Sequence, residues 1–256
     1  MLPAFREVHV LASCTASLLV CAASTLASAR WQPARRVLAA VAALLAAGGV
    51  AWLRHADASQ SGWPLWSGAE VVVISASAAV LWHLQYGRRA TRAGELLCHA
   101  LPAGLLAWAA IRWPAQREVV TSDWGPQLWS FGSRLLLALA CGAVIEAGSL
   151  ALASLITQRH LALQATADHD QSSGCPVLLV FFLATAALLM HALSGLYARG
   201  IYWSWTAAES WMLALWLVLG ALWSGMTLAA LPMQRLRGLT VLGLMMALLL
   251  FRSWGA

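Results

Sequence analysis

Lysine is absent and charge of any kind is scarce. All 16 cationic residues of the 256-residue chain are arginine, and charged residues make up only 10% of it. A soluble domain carries roughly 25% charged residues, so an ordinary water-facing globular surface is excluded. The net charge of +6 is not a nucleic-acid footprint, because in so apolar a chain an excess of arginine is first a topology signal. The cysteines, Cys14, Cys21, Cys98, Cys141 and Cys175, form no C-x-x-C or C-x-x-C-H pair. That removes thiol exchange and covalent haem attachment, and cysteine inside apolar runs behaves as a small hydrophobe. There is no phosphate loop, H-E-x-x-H, nucleophile elbow or nucleotide fingerprint. Neither a repeat nor a long polar linker divides the chain, so residues 1–256 read as a single domain.

What is present is apolar length. Hydrophobic residues make up 61% of the chain and the mean hydropathy is +0.72. Segments near 8–29, 37–53, 68–87, 96–113, 128–157, 176–198, 209–230 and 237–254 approach or reach the length that crosses a bilayer. The second and last are short and the fifth is long, which calls for local thinning or tilt. Each must be helical, since lone strands leave backbone groups unpaired in lipid. The expected fold is an all-α polytopic bundle of about eight spans. The first run is followed at once by Arg30, Arg35 and Arg36, as in a stop-transfer segment rather than a cleaved signal peptide.

Alternate breaks hold Arg30, Arg35, Arg36, Arg88, Arg89, Arg92, Arg159, Arg235 and Arg237. The opposite set holds Arg6, Arg54, Arg112, Arg117, Arg199 and Arg252. The positive-inside rule then places both termini and the loops near 54–67, 114–127 and 199–208 outside. Trp63, Trp66, Trp113, Trp124, Trp129, Trp203, Trp205, Trp211 and Trp254 fall on or beside that same face. Aromatic belts ordinarily mark both interfaces, so the one-sided excess reads as a platform as well as an anchor.

The densest aromatic stretch is the loop 199–211, with Tyr202, Trp203, Trp205, Glu209 and Trp211 between two spans. Flat side chains at a membrane surface suit a flat amphipathic ligand, because stacking adds about 0.5–1.5 kcal/mol per aromatic pair beyond burial. The residues alone also fit an ordinary interfacial belt. The run Tyr202-Trp203-Ser204-Trp205-x-x-x-Glu209-x-Trp211 resembles the WWD signature of the cytochrome c assembly family, the CcsA, ResC and CcmC proteins and their HemX-like relatives. Pro64 to Glu70, Pro126 to Ser130 and Phe251-Arg252-Ser253-Trp254-Gly255 are similar, in order, to further pieces of that family's pattern. The resemblance spans most of residues 50–256. It implies a protein of the bacterial inner membrane that holds haem against the outer loop and hands it on with a cytochrome c maturation partner. The family's aspartate is Thr206 here, and its axial histidines would fall near Leu136, at Arg252 and near Ser224.

The resemblance thus makes Tyr202, Trp203, Trp205 and Trp211 the haem-facing aromatics, with Arg199 and Arg252 as partners for propionates. His191, two turns before Arg199, reads either as an iron ligand beneath the loop or as a hydrogen-bonded packing residue. His83 and His99 close antiparallel neighbours at similar depth and read as a bis-histidine haem or metal site, or as end-of-helix residues bonded to headgroups or carbonyls. His9, His55, His160 and His169 carry no assignment, and Asp168-His169-Asp170 is too short a cluster to mark a metal site. Arg134 and Glu146 share one span but stand about 18 Å apart along it, too far to pair. Arg134 can snorkel outward, whereas Glu146 is either a proton or ion site or an acid hydrogen-bonded to a neighbouring helix. Glu70 and Glu209 begin spans, where carboxylates cap helices. Two further readings compete with haem handling. A non-catalytic subunit docking other membrane chains suits the many alanines and glycines. A transporter built on Glu146 lacks paired broken helices.

Overall fold

The computed structural model describes residues 2–24, 32–58, 68–86, 91–112, 124–161, 177–228 and 231–254. These form eight helices: α1 (Leu2–Ser24), α2 (Gln32–Ala58), α3 (Gly68–Tyr86), α4 (Arg92–Arg112), α5 (Trp124–Leu161), α6 (Val177–Arg199), α7 (Ala207–Thr227) and α8 (Met233–Trp254). No strand occurs among the described residues. The chain is an all-helical, multi-pass membrane protein.

Among the described residues, six helices are long and apolar enough to cross a bilayer: α3, α4, the Leu128–Thr157 part of α5, α6, α7 and α8. The eight expected spans are matched by eight helices, six of which qualify on their described residues alone. In α1 the described apolar stretch is only Ala12–Ala23. In α2 the side chains described are those of residues 33–49. Both helices still pack into the bundle, α1 on α2 and α4, and α2 on α3.

The hub is α3. Its small and β-branched residues show no polar face, and Ala69 to Val80 is buried throughout. A helix apolar on every side is covered on every side: α2, α4, α5 and α8 all touch it. Close approach is set by small residues, as expected where lipid removes the hydrophobic drive between helices. Gly142 of α5 is the case pressed against the hub, since a Cβ there would lie 2.5 Å from the Ala78 Cβ and 2.8 Å from the Ser75 carbonyl oxygen. Hydroxyls inside the bundle bond back to their own helices or across them. Ser75 donates to Val71 O at 2.8 Å, and Ser133 of α5 donates to Ala187 O of α6 at 2.9 Å. The α6–α7 contact is aromatic: Phe181 stacks on Trp216 and Trp223, and Trp216 Nε1 donates to Thr185 at 2.8 Å. Outward faces carry exposed Leu44, Leu178, Phe182, Leu189, Leu217 and Met245, the apolar surface that lipid requires.

Contacts at the two ends fix direction. Gly68 at the start of α3 meets Trp254 at the end of α8. The antiparallel pair α7 and α8, close in sequence, puts the start of α7 at that same end. Arg35 at the start of α2 lies 3.8 Å from Glu95 at the start of α4. The opposite end thus collects Arg35 and Arg36, Arg92 at the start of α4, and Arg235 and Arg237 at the start of α8.

Candidate functional site

The 200–206 loop links α6 to α7 at the Trp254 end. Helix α6 stops because Gly200 adopts φ +72°, and its N–H bonds Leu196 O at 2.9 Å, a left-handed glycine cap. The chain then folds back over the last turn of α6. Gly195 makes room for this return, since a Cβ there would lie 2.9 Å from Ile201 O and 3.2 Å from Tyr202 O. Thr206 starts α7 with a reciprocal capping box to Glu209, so the capping role expected of Glu209 is met.

Glu209 does more than cap. Its side chain is 2% exposed and faces donors from α6 and the loop. Ser204 N donates at 2.8 Å, Ser204 Oγ at 2.9 Å and Thr206 N at 3.1 Å. His191 Nε2 stands at 3.1 Å and Arg199 Nη2 donates at 3.2 Å. A buried carboxylate is stable only when its lone pairs are filled in this way. One acid therefore ties the end of α6, the loop and the start of α7 together.

The predicted aromatic residues fall into two layers around this lock. Trp203 is half-buried, edge-on to His191 with ring centroids 5.9 Å apart, and its buried Nε1 has no hydrogen-bond partner among the described residues. Trp211 is half-buried and packs on the core. Tyr202 and Trp205 face outward, Trp205 with 72% of its surface exposed, and the Trp205 ring meets Trp203 edge-on at 6.2 Å. Trp205 also has φ +57°, the non-glycine residue with positive φ among those described. A left-handed conformation costs a bulky residue about 1–2 kcal/mol.

The polar candidates divide differently. Arg199 is half committed inward, since Nη1 donates to Ser204 Oγ at 2.8 Å and Nη2 to Glu209. Arg252 is exposed near the end of α8, at the same end of the bundle as the loop. Because a carboxylate accepts, His191 carries its proton on Nε2, and in the neutral ring Nδ1 keeps the lone pair. Sequence reading placed Glu209 in the loop but missed its pairing with His191, which lies 18 positions earlier. At the positions where the resemblance implies axial histidines, Leu136 packs on the core while Ser224 and Arg252 are exposed.

His83 and His99 do meet, edge to face at 5.4 Å, at the arginine end. His99 Nδ1 contacts Glu95 O at 2.7 Å, so that nitrogen bears the proton. Trp129 and Arg134 are half-buried on α5. The side chains of His9, His55, Trp63, Pro64, Trp66, Trp113, Trp124, Pro126, His160 and the 168–170 cluster lie outside the described residues, as do Cys175 and Gly255.

Comparison of the chain with protein-family models, with curated proteins and with solved structures finds no match.

Proposed function

We propose that the loop end of this membrane bundle is a ledge that binds haem and presents it for cytochrome c maturation, on the outer side of a bacterial inner membrane. The observation that carries this reading is Trp205. Its ring stands in the open on a strained left-handed backbone, and the loop that imposes the strain is locked by Glu209. A tryptophan that merely anchors a helix in headgroups needs no such strain, and strain kept on a rigid frame is a mark of a working surface. Tyr202 and Trp205 offer flat faces to a porphyrin. Trp203 Nε1 is a donor in need of an acceptor, and Arg252 is an exposed cation at that end for a propionate. Arg199 serves the ledge by holding Glu209 and Ser204 rather than by reaching out. His191 is the iron-ligand candidate through Nδ1, with Glu209 fixing its ring as carboxylates fix metal-bound histidines. The sidedness follows the arginines, which gather at the opposite end.

The test is haem binding by the purified chain in detergent, read as a Soret band and a pyridine haemochrome. The wild type binds haem, and replacing Trp203 and Trp205 together by alanine removes the band. A wild type that stays colourless after haem addition refutes the reading. If that colourless protein also co-purifies with other membrane chains, the docking-subunit reading replaces it.

A further inference from the structure

We infer that the chain binds one divalent transition-metal ion between α3, α4 and α5, held by His83, Cys98 and Glu146. This site stands apart from the haem reading. It lies at the arginine end, about 22 Å along α3 from the Gly68 end.

The ligand atoms of these residues all lie within 4.8 Å of one another. In a tetrahedral site with metal–nitrogen and metal–oxygen bonds near 2.0–2.2 Å and metal–sulfur near 2.3 Å, neighbouring ligands stand about 3.3–3.8 Å apart. His83 Nδ1 and Glu146 Oε1 are already 3.7 Å apart, and the longest edge has to close by only about 1 Å. That 3.7 Å is too long for a hydrogen bond, and the buried His83 Nδ1 has no hydrogen-bond partner among the described residues. All three residues are buried, at 6%, 2% and 3% exposure. Cys98 at present makes only a 3.9 Å sulfur contact to the Glu146 carbonyl oxygen.

The donor set also solves a charge problem. An isolated ion inside an apolar bundle is costly. A divalent cation with one thiolate, one carboxylate and one neutral imidazole makes a centre with no net charge, the Cys98 thiol proton and any Glu146 proton leaving as the metal enters. Nitrogen, sulfur and oxygen donors together suit zinc-class ions and exclude calcium and magnesium, which take oxygen. Three protein ligands leave the fourth position open, as in zinc sites that bind a further molecule. His99 walls the site without joining it. Its neutral ring holds the proton on Nδ1 against Glu95 O, and Glu95 in turn pairs with Arg35.

The probe is Co2+, which replaces zinc and reports thiolate ligation through a sulfur-to-cobalt charge-transfer band. The full-length protein in detergent is stripped with a chelator, titrated with Co2+ and desalted. It is expected to retain about one equivalent per chain with the thiolate band, and Zn2+ should displace the cobalt and bleach the band. Cys98→Ser and Cys98→Ala each abolish the band, His83→Gln and Glu146→Gln each weaken retention at least about tenfold, and Cys141→Ser leaves it intact. Wild-type protein that retains no cobalt overturns the inference without recourse to any variant. So does a thiolate band that survives in Cys98→Ala, or cobalt bound without such a band.

Discussion

Glu209→Gln removes one negative charge and turns one acceptor oxygen into a donor without changing the size of the side chain. In either amide orientation the new NH2 faces donors. On the Oε2 side it meets Ser204 N and Thr206 N, and on the Oε1 side His191 Nε2, Arg199 Nη2 and Ser204 Oγ. At least two donors lose their acceptor, at about 1–3 kcal/mol each when buried. Thr206 is exposed and Ser204 half-buried, so water replaces part of what is lost and the lower end applies, about 2–3 kcal/mol. At 1.4 kcal/mol per factor of ten, local opening of the loop becomes roughly 30–150 times more frequent. Hydrogen exchange followed by mass spectrometry reads this on peptides covering residues 199–209, whose Ser204 and Thr206 amides donate to the carboxylate. Peptides of α5 serve as the control and should be unchanged. Loop exchange within about threefold of the wild type, which corresponds to under 1 kcal/mol, would refute the idea that Glu209 is what holds the ledge.

Two further substitutions test neighbouring claims. Trp205→Gly relieves the left-handed strain, so the loop should exchange more slowly by a factor of about five to thirty, equivalent to 1–2 kcal/mol, while haem retention in the spectral assay falls. A loop that becomes less protected would show that the ring, not the backbone, stabilises it. Gly142→Ala forces α5 away from Ala78 and Ser75 and should cost about 1–3 kcal/mol, seen as a lower melting temperature in detergent. Gly104→Ala, whose added Cβ meets nothing within 4 Å, should instead be neutral or stabilising by up to about 1 kcal/mol.

The helices were legible because lipid leaves a spanning segment little choice of conformation. Apolar length alone located α3 to within a residue and placed the bilayer-length part of α5 at Leu128–Thr157. It did not reveal that α3 would be the hub. That role depends on four neighbours packing against it, and a run such as Val71 to Val80 looks the same whether lipid or protein surrounds it. α1 and α2 are apolar and helical as well, and the six helices that qualify do so on their described residues alone. The ledge was visible as composition, two tryptophans one residue apart beside a carboxylate. Its strain was not, because a positive φ at Trp205 is imposed by the closure of a loop on Gly195 and Glu209 rather than by its own side chain.

The two buried carboxylates show why pairings resist a reading along the chain. Glu209 and Glu146 each interrupt an apolar environment; from sequence Glu209 reads as a cap, and Glu146 as a proton or ion site or an acid hydrogen-bonded to a neighbouring helix. Their surroundings separate them. Glu209 is met by five donor groups from α6 and the loop, which leaves no capacity for a ligand and makes it a frame. Glu146 meets His83 Nδ1 only at 3.7 Å, with the Cys98 sulfur close by. The partners of Glu146 come from α3 and α4, and Cys98 is 48 positions away in sequence, so no spacing rule would have joined them. A carboxylate filled by donors builds shape. A carboxylate grouped with an imidazole and a thiol, all facing one point, has acceptor capacity left over, and a cation is the simplest thing that uses all three.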